Sequence, residues 1–161
     1  MLGYEYEGQI CSIARSLELV GERWTLLVVR EIFHGRRKFS EMQRSLGVAR
    51  NVLTARLQRM ADEGIIEKRP YSARPERYEY FLTDKGLDLW PVMIALMQWG
   101  DKYEQQPEGR PSIVVHKGEC GGEIDDRRIC TKCGKKLTVR EATAIEGPGM
   151  KASLERIKAA A

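Results

Sequence analysis

The side chains with the most distinctive chemistry lie near the end of the sequence: His116, Cys120, Cys130 and Cys133, spaced H-x3-C-x9-C-x2-C. One imidazole and three thiolates complete the tetrahedral shell of a structural Zn²⁺. The second half, CTKCGKK, has the Cys-x2-Cys-Gly form of a zinc knuckle. Its Gly permits the tight turn that leaves amide N–H groups facing the sulfurs. The first half couples His116 to Cys120 and is followed by Gly121-Gly122. Two other readings use the same residues. Two of the three thiols can pair in a reversible disulfide, and His116 can simply end a strand. Catalysis by a metal here is not expected, because no motif of the H-E-x-x-H or H-x-E kind is present. The chain is therefore not expected to be an enzyme.

A second set of side chains suits recognition. From about Arg50 to Glu63, apolar Val52, Leu53, Leu57 and Met60 recur at helical spacing. Arg50, Asn51, Thr54 and Gln58 fall on another face, polar and free of carboxylates. Arg and Asn make bidentate contacts with base edges, and Thr or Gln adds single ones. Arg56 lies on the same helix and joins the candidate DNA-contacting residues. A preceding helix runs from Ser40 to Leu46, with Ser40 as N-cap and Gln43 three residues on as its capping-box partner. Gly47 ends it. Ser40 and Gln43 are placed to contact the DNA backbone at that helix N-terminus. Arg37 and Lys38, in the basic run before it, stand where a phosphate contact is expected. After the second helix, Gly64 signals a C-cap. A strand over Ile65–Arg69, a turn-rich tip over Pro70–Pro75 and a returning strand over Arg77–Leu82 make a hairpin, with Tyr78, Tyr80 and Leu82 on one side. Such a hairpin lays Arg69, Arg74 and Arg77 against phosphates or into a minor groove.

Other segments position these groups. Residues 1–10 read as an arm. A short helix over Cys11–Leu19 turns Ile13, Leu17 and Val20 inward, and a core helix spans Trp24–Phe33. Thr83 caps a helix from Asp84 to about Tyr103, which Pro91 should bend or break. Its many apolar residues, Trp90, Met93, Ile94, Leu96, Met97 and Trp99 among them, exceed what one edge helix can bury, so they point to helix–helix dimerisation or to a core under the tail. A composition of 42% hydrophobic and 31% charged residues suits a globular core. The net charge of +4 is modest. Its distribution says more: from Arg36 to Tyr80, eleven cations stand against six anions. The N-terminal MLGYEYEGQ resembles no secretory signal, and no run suffices for a membrane span. The expectation is a cytoplasmic protein whose clustered cysteines are reduced.

Three stretches, CSIARSLELVGERWTLLVVREIFHGRRKFSEMQRSLGV, LTARLQRMADEGII and RYEYFLTDKG, follow one another from Cys11 onward. In order and spacing they resemble the HxlR family of bacterial transcriptional regulators, winged helix-turn-helix relatives of the MarR type. The likeness covers about Cys11 to Tyr103. It implies a homodimer on a roughly palindromic double-stranded DNA operator, a reading helix at Arg50–Arg59, a wing at Pro70–Arg77, and dimerisation through the first and last helices. It also implies that Cys11 senses oxidants or electrophiles in some members, in keeping with the thiolate character a helix N-terminus can confer. Packing at the helix start is the other reading of Cys11. Ser12 departs from the family, which usually has Pro there.

The expected fold is mainly α with a β-hairpin wing, a winged helix-turn-helix, plus a small Cys-rich zinc-ribbon-like module. The expected boundaries are 1–104 for DNA binding and dimerisation, 105–111 for a linker, 112–149 for the module and 150–161 for a short helix. The expected function is sequence-specific DNA binding, as a dimeric repressor answering a small-molecule or oxidant signal. The alternative is a winged-helix module that binds proteins and does not read DNA.

Overall fold

Apolar spacing along the chain dictates most of the helices. The computed structural model describes residues 10–104 and 107–159, which pack as two units divided between Asp88 and Leu89. In the first unit, α1 (Ser12–Val20), α2 (Thr25–Phe33), α3 (Phe39–Leu46) and α4 (Arg50–Asp62) lead into an antiparallel hairpin of β1 (Ile66–Ala73) and β2 (Glu76–Leu82). The short α5 (Asp84–Leu87) follows. Val28, Val29 and Ile32 from α2, Met42 from α3, and Leu53, Leu57 and Met60 from α4 form the core with Ile65 and Ile66. Each such side chain contributes about 1.5–3 kcal/mol by leaving water.

Four expectations are corrected here. On α1, Ile13 and Leu17 point outward, 73% and 42% exposed, and Ala14 is the buried residue. Among the described residues, nothing covers most of Ile13 or the outer part of Leu17. The N-cap of α3 is Lys38, and Ser40 falls inside the first turn. Glu41 completes the cap: its carboxylate accepts the Arg37 and Lys38 N–H groups at 3.2 and 3.1 Å. A carboxylate at a helix N-terminus gains from both charge and dipole, so it prevails over Gln43. Gln43 instead donates to the Val48 carbonyl at 3.5 Å. In the hairpin, Pro70–Ala73 belongs to β1, and the register shifts between Pro70 and Ser72. A proline without an N–H is tolerated at such a bulge on an edge strand. Finally, the helix expected over Asp84–Tyr103 is two helices. Thr83 caps α5, accepting the Gly86 N–H at 3.2 Å. The break falls before Pro91, which lies in the first turn of α6 (Trp90–Tyr103), where its missing N–H costs nothing.

The second unit comprises α6, the antiparallel pair β3 (Ser112–His116) and β4 (Ala142–Glu146), and α7 (Pro148–Ala159). Val114, Val115, Ile124, Leu137 and Ala142 are buried, as are Trp90 and Ile94 of α6. Gln98 on α6 donates to the Ile124 carbonyl at 3.0 Å, and the Arg128 guanidinium lies 5.9 Å from the Trp90 ring centre. Thus α6 packs with the tail, and the division falls at 88 where the sequence suggests 104. Its other face remains open, with Val92, Leu96, Trp99 and Tyr103 about half exposed. Within the expected linker, the Pro111 and Arg110 carbonyls accept the Gly147 and Gly149 N–H groups. The expected arm, apart from Ile10, lies outside the described residues, as do linker residues 105 and 106 and helix residues 160 and 161. No helix among the described residues is long and apolar enough to cross a membrane.

Candidate nucleic-acid interface and metal centre

Burial of Leu53, Leu57 and Met60 fixes which side of α4 faces outward. Arg50, Asn51, Thr54 and Gln58 are all exposed. Their availability differs, however. The Arg50 guanidinium stands 5.4 Å from the Phe39 ring centre. The Thr54 hydroxyl donates back to the Arg50 carbonyl at 2.9 Å. Gln58 donates to Asp62 at 2.7 Å and accepts from Lys68 of β1 at 2.5 Å, so any base contact by Gln58 competes with two internal bonds. Arg56 points elsewhere. It pairs with Glu22 at 2.7 Å with its side chain only 14% exposed, tying α4 to the turn before α2. Arg59 performs a similar task, donating to the Glu18 carbonyl at 3.1 Å. The sequence offers no local signal for either tie, since the partners lie more than thirty residues away.

The basic segment before α3 and the hairpin meet along β2. The Tyr80 N–H donates to the Arg37 carbonyl at 2.9 Å, and Lys38 bridges to Glu79 in antiparallel fashion. Lys38 lies 5.2 Å from the Tyr71 ring centre. Arg37 and Arg69 lie 4.5 and 4.2 Å from the centre of one ring, that of Phe81. Glu67 accepts from Arg69 Nε at 2.8 Å and from one of its terminal nitrogens. Arg74 and Arg77 are exposed at the hairpin end. Ser40 is exposed in the first turn of α3, while Gln43 is half-buried. Behind this surface, Glu31 is 1% exposed and accepts from Arg30 at 2.6 Å and Arg36 at 3.1 Å. Burial pushes its carboxyl up, but hydrogen bonds from Ser45 and Arg30 and the charges of Arg30 and Arg36 hold it below the usual range. Phe81, Tyr71 and Glu31 are additions to the residues marked in the sequence.

In the second unit, the end of β3 and two glycine-rich turns bring His116, Cys120, Cys130 and Cys133 together. Their ligand atoms all lie within 4.8 Å of one another. Cys120 Sγ and Cys130 Sγ are 3.5 Å apart, and Cys133 Sγ is 3.4 Å from His116 Nδ1. A tetrahedral shell with zinc–sulfur bonds of about 2.3 Å needs edges of roughly 3.8 Å. All four cysteines of the chain are free thiols. The surroundings also suit thiolates. N–H groups of Cys133 and Lys132 face Cys130 and hold its thiol down to about 6. The Gly122 N–H favours the Cys120 thiolate, but burial and the neighbouring sulfurs outweigh it and push this thiol up. A Cβ on Gly122 would stand 2.6 Å from Cys130 Sγ, so only glycine lets the two turns close to this distance. The donor set, its spacing and this close approach fit a structural Zn²⁺.

Cys11 is the N-cap of α1. It is exposed, and its Sγ accepts the Ala14 N–H at 3.4 Å.

Comparison with known proteins bears on both units. The model of the HxlR-like helix-turn-helix family matches residues 19–108. An uncharacterized HTH-type transcriptional regulator of Mycobacterium tuberculosis is 48% identical over 153 residues, 95% of each chain. One from Synechocystis is 34% identical, covering 69% of this chain and 83% of the relative. Among solved structures, PA1607, assigned as a transcription factor, superposes with a TM-score of 0.66 at 32% identity, covering 83% of this chain and 93% of its own. The redox regulator HypR in its oxidized form gives 0.53 at 26% identity, covering 57% and 96%.

Proposed function

The chain belongs to the HxlR-like family of helix-turn-helix transcriptional regulators, and from that premise we propose that it is a dimeric repressor whose α4 enters the major groove of a roughly palindromic operator. The observation that carries this reading is the outward face of α4, where Arg50, Asn51 and Thr54 stand exposed opposite the buried Leu53, Leu57 and Met60. Arg50 and Asn51 are the base readers. The hairpin is the wing. Arg69, Arg74 and Arg77 on it, with Arg37 and Lys38 before α3, contact the backbone or minor groove. Ser40 adds a contact at the first turn of α3. Gln58 contributes only by releasing Lys68 and Asp62. Arg56 is a strut between elements and not a DNA ligand, given its pairing with Glu22.

Homodimerisation is supported by two open apolar surfaces: Ile13 and Leu17 on α1, and Val92, Leu96, Trp99 and Tyr103 on α6. Residues 112–149 form a zinc-ribbon-like module in which His116, Cys120, Cys130 and Cys133 hold one structural Zn²⁺. The metal supplies cross-linking energy there and no chemistry. The protein acts in the cytoplasm and answers a small molecule or an oxidant, with the exposed Cys11 as the candidate sensor.

The test is fluorescence anisotropy with the duplex upstream of the protein's own gene against a scrambled duplex, at two salt concentrations. Selective, salt-sensitive binding is expected, and Arg50→Ala should weaken selective binding by about 1–3 kcal/mol. Equal affinity for both duplexes at both salt concentrations counts against an operator at this site. Metal analysis of the purified chain should give one zinc per protomer.

A further inference from the structure

Phe81 has no place in the reading so far, yet it is where two separate basic segments meet. Arg37 comes from the loop before α3 and Arg69 from β1, thirty-odd residues later. Their guanidinium carbons lie 4.5 and 4.2 Å from the same ring centre. Two cations so close to one point repel each other. The ring offsets this repulsion through its quadrupole. Stacking uses the flat face of a guanidinium and leaves its in-plane N–H donors for an anion. On Arg69, Glu67 takes one edge and leaves another for an external oxyanion. Backbone bonds fix the approach from the other side, because Tyr80 N–H donates to the Arg37 carbonyl at 2.9 Å. Phe81 itself lies opposite Glu67 in the hairpin register, two residues from Arg69 along β1.

We propose that Phe81 is a positioning residue for DNA binding: its ring holds Arg37 and Arg69 together as a two-guanidinium clamp on the phosphate backbone. This inference rests on the DNA-binding reading and deepens it. A clamp of this kind joins the wing to the helix pair across one phosphate and carries no base preference. Its contribution should therefore be equal on every duplex. A phosphate held by two guanidiniums needs both of them in place before contact. Without the ring they separate, and each must be ordered at the moment of binding.

The experiment uses the full chain and a random-sequence 24-base-pair duplex, titrated by anisotropy across a salt series. Wild type should bind with a steep logarithmic dependence on salt. Phe81→Leu keeps the apolar bulk and removes the quadrupole. It should weaken binding about five-fold at low salt, equally on an unrelated duplex, with thermal unfolding unchanged. Phe81→Tyr, which keeps the ring, should restore wild-type affinity. Arg37→Ala should cost less in the F81L background than alone, because the clamp is already open. The proposal is overturned if F81L binds like wild type, if its loss is additive with Arg37→Ala, or if Phe81→Tyr is as weak as F81L. A wild-type chain that binds no duplex overturns the DNA-binding reading itself, and the clamp with it.

Discussion

The two units of this chain are held together by different physics. The first surrounds an apolar centre in which Val28, Val29, Met42 and Leu53 have no exposure at all. It has helices long enough to bury a continuous stripe, and its cations can therefore be left for the surface. The second has short strands of five residues each, few fully buried side chains, and a cluster of four metal-ligating groups in the middle. Small units with thin cores need a staple, and a tetrahedral metal is one such staple. With the proposed Zn²⁺ in place, the two units are specified in different ways, and they should fail under different insults.

The largest expected effect comes from removing the staple. Chelation, or Cys130→Ser, should unfold the second unit, because structural zinc contributes about 10–16 kcal/mol of apparent binding energy in small domains. Hydrogen exchange at Val114, Val115 and Leu137 should become fast while Val28 and Leu57 stay protected. Loss of protection in both units together would erase the contrast. Next comes the reciprocal insult. Leu57, 1% exposed in α4, should cost about 2–5 kcal/mol when replaced by Ala. Chemical denaturation should report that loss in the first unit alone, with zinc content unaltered.

Acid sharpens the comparison further. Glu31 is held below the usual carboxylate range, so its contribution is present above the unfolded value of about 4.3 and fades as pH falls through the lower folded value. Glu31→Gln should remove about 2 kcal/mol near neutral pH and flatten the acid limb of the first unit's stability curve. An unchanged acid limb would mean that other carboxylates dominate it. The smallest effect concerns Arg56. Because Glu22 is 41% exposed, the pair is partly screened, and Arg56→Ala should cost about 1 kcal/mol or less. It should leave duplex affinity intact, whereas a loss of affinity at unchanged stability would return Arg56 to the DNA surface.

Legibility in the sequence follows the range of the interactions. The helix pair was readable from Leu53, Leu57 and Met60, and the metal-ligand spacing from His116 to Cys133, because periodicity and local spacing are one-dimensional signals. The α3 cap shifts from Ser40 to Lys38 because Glu41, two residues before Gln43, brings a carboxylate to the Arg37 and Lys38 N–H groups, and charge and dipole favour it there. Ile13 and Leu17 face outward for a different reason. An apolar stripe announces that it must be covered, not which chain covers it. Arg56, Gln58 and Phe81 were illegible in their details because their partners Glu22, Lys68, Arg37 and Arg69 are distant in sequence. β4 carries no signal in the sequence: ATAIE is short and bears no turn signal of its own, and its register against Ser112–His116 is what makes it a strand.

Thr83 has a mechanical consequence. Its hydroxyl donates to the Gly64 carbonyl at 2.6 Å while capping α5, its N–H donates to the Ile65 carbonyl at 3.1 Å, and Lys85 reaches the Glu63 carbonyl at 2.6 Å. The C-terminal end of α4, both base ends of the hairpin and the start of α5 are thus riveted at one point. Any force delivered there turns helix and hairpin as a single lever, with no joint between them. In the dimer proposed above, a signal would have one setting to adjust: the distance between the tips of two such levers, and so their fit to the helical repeat of a duplex.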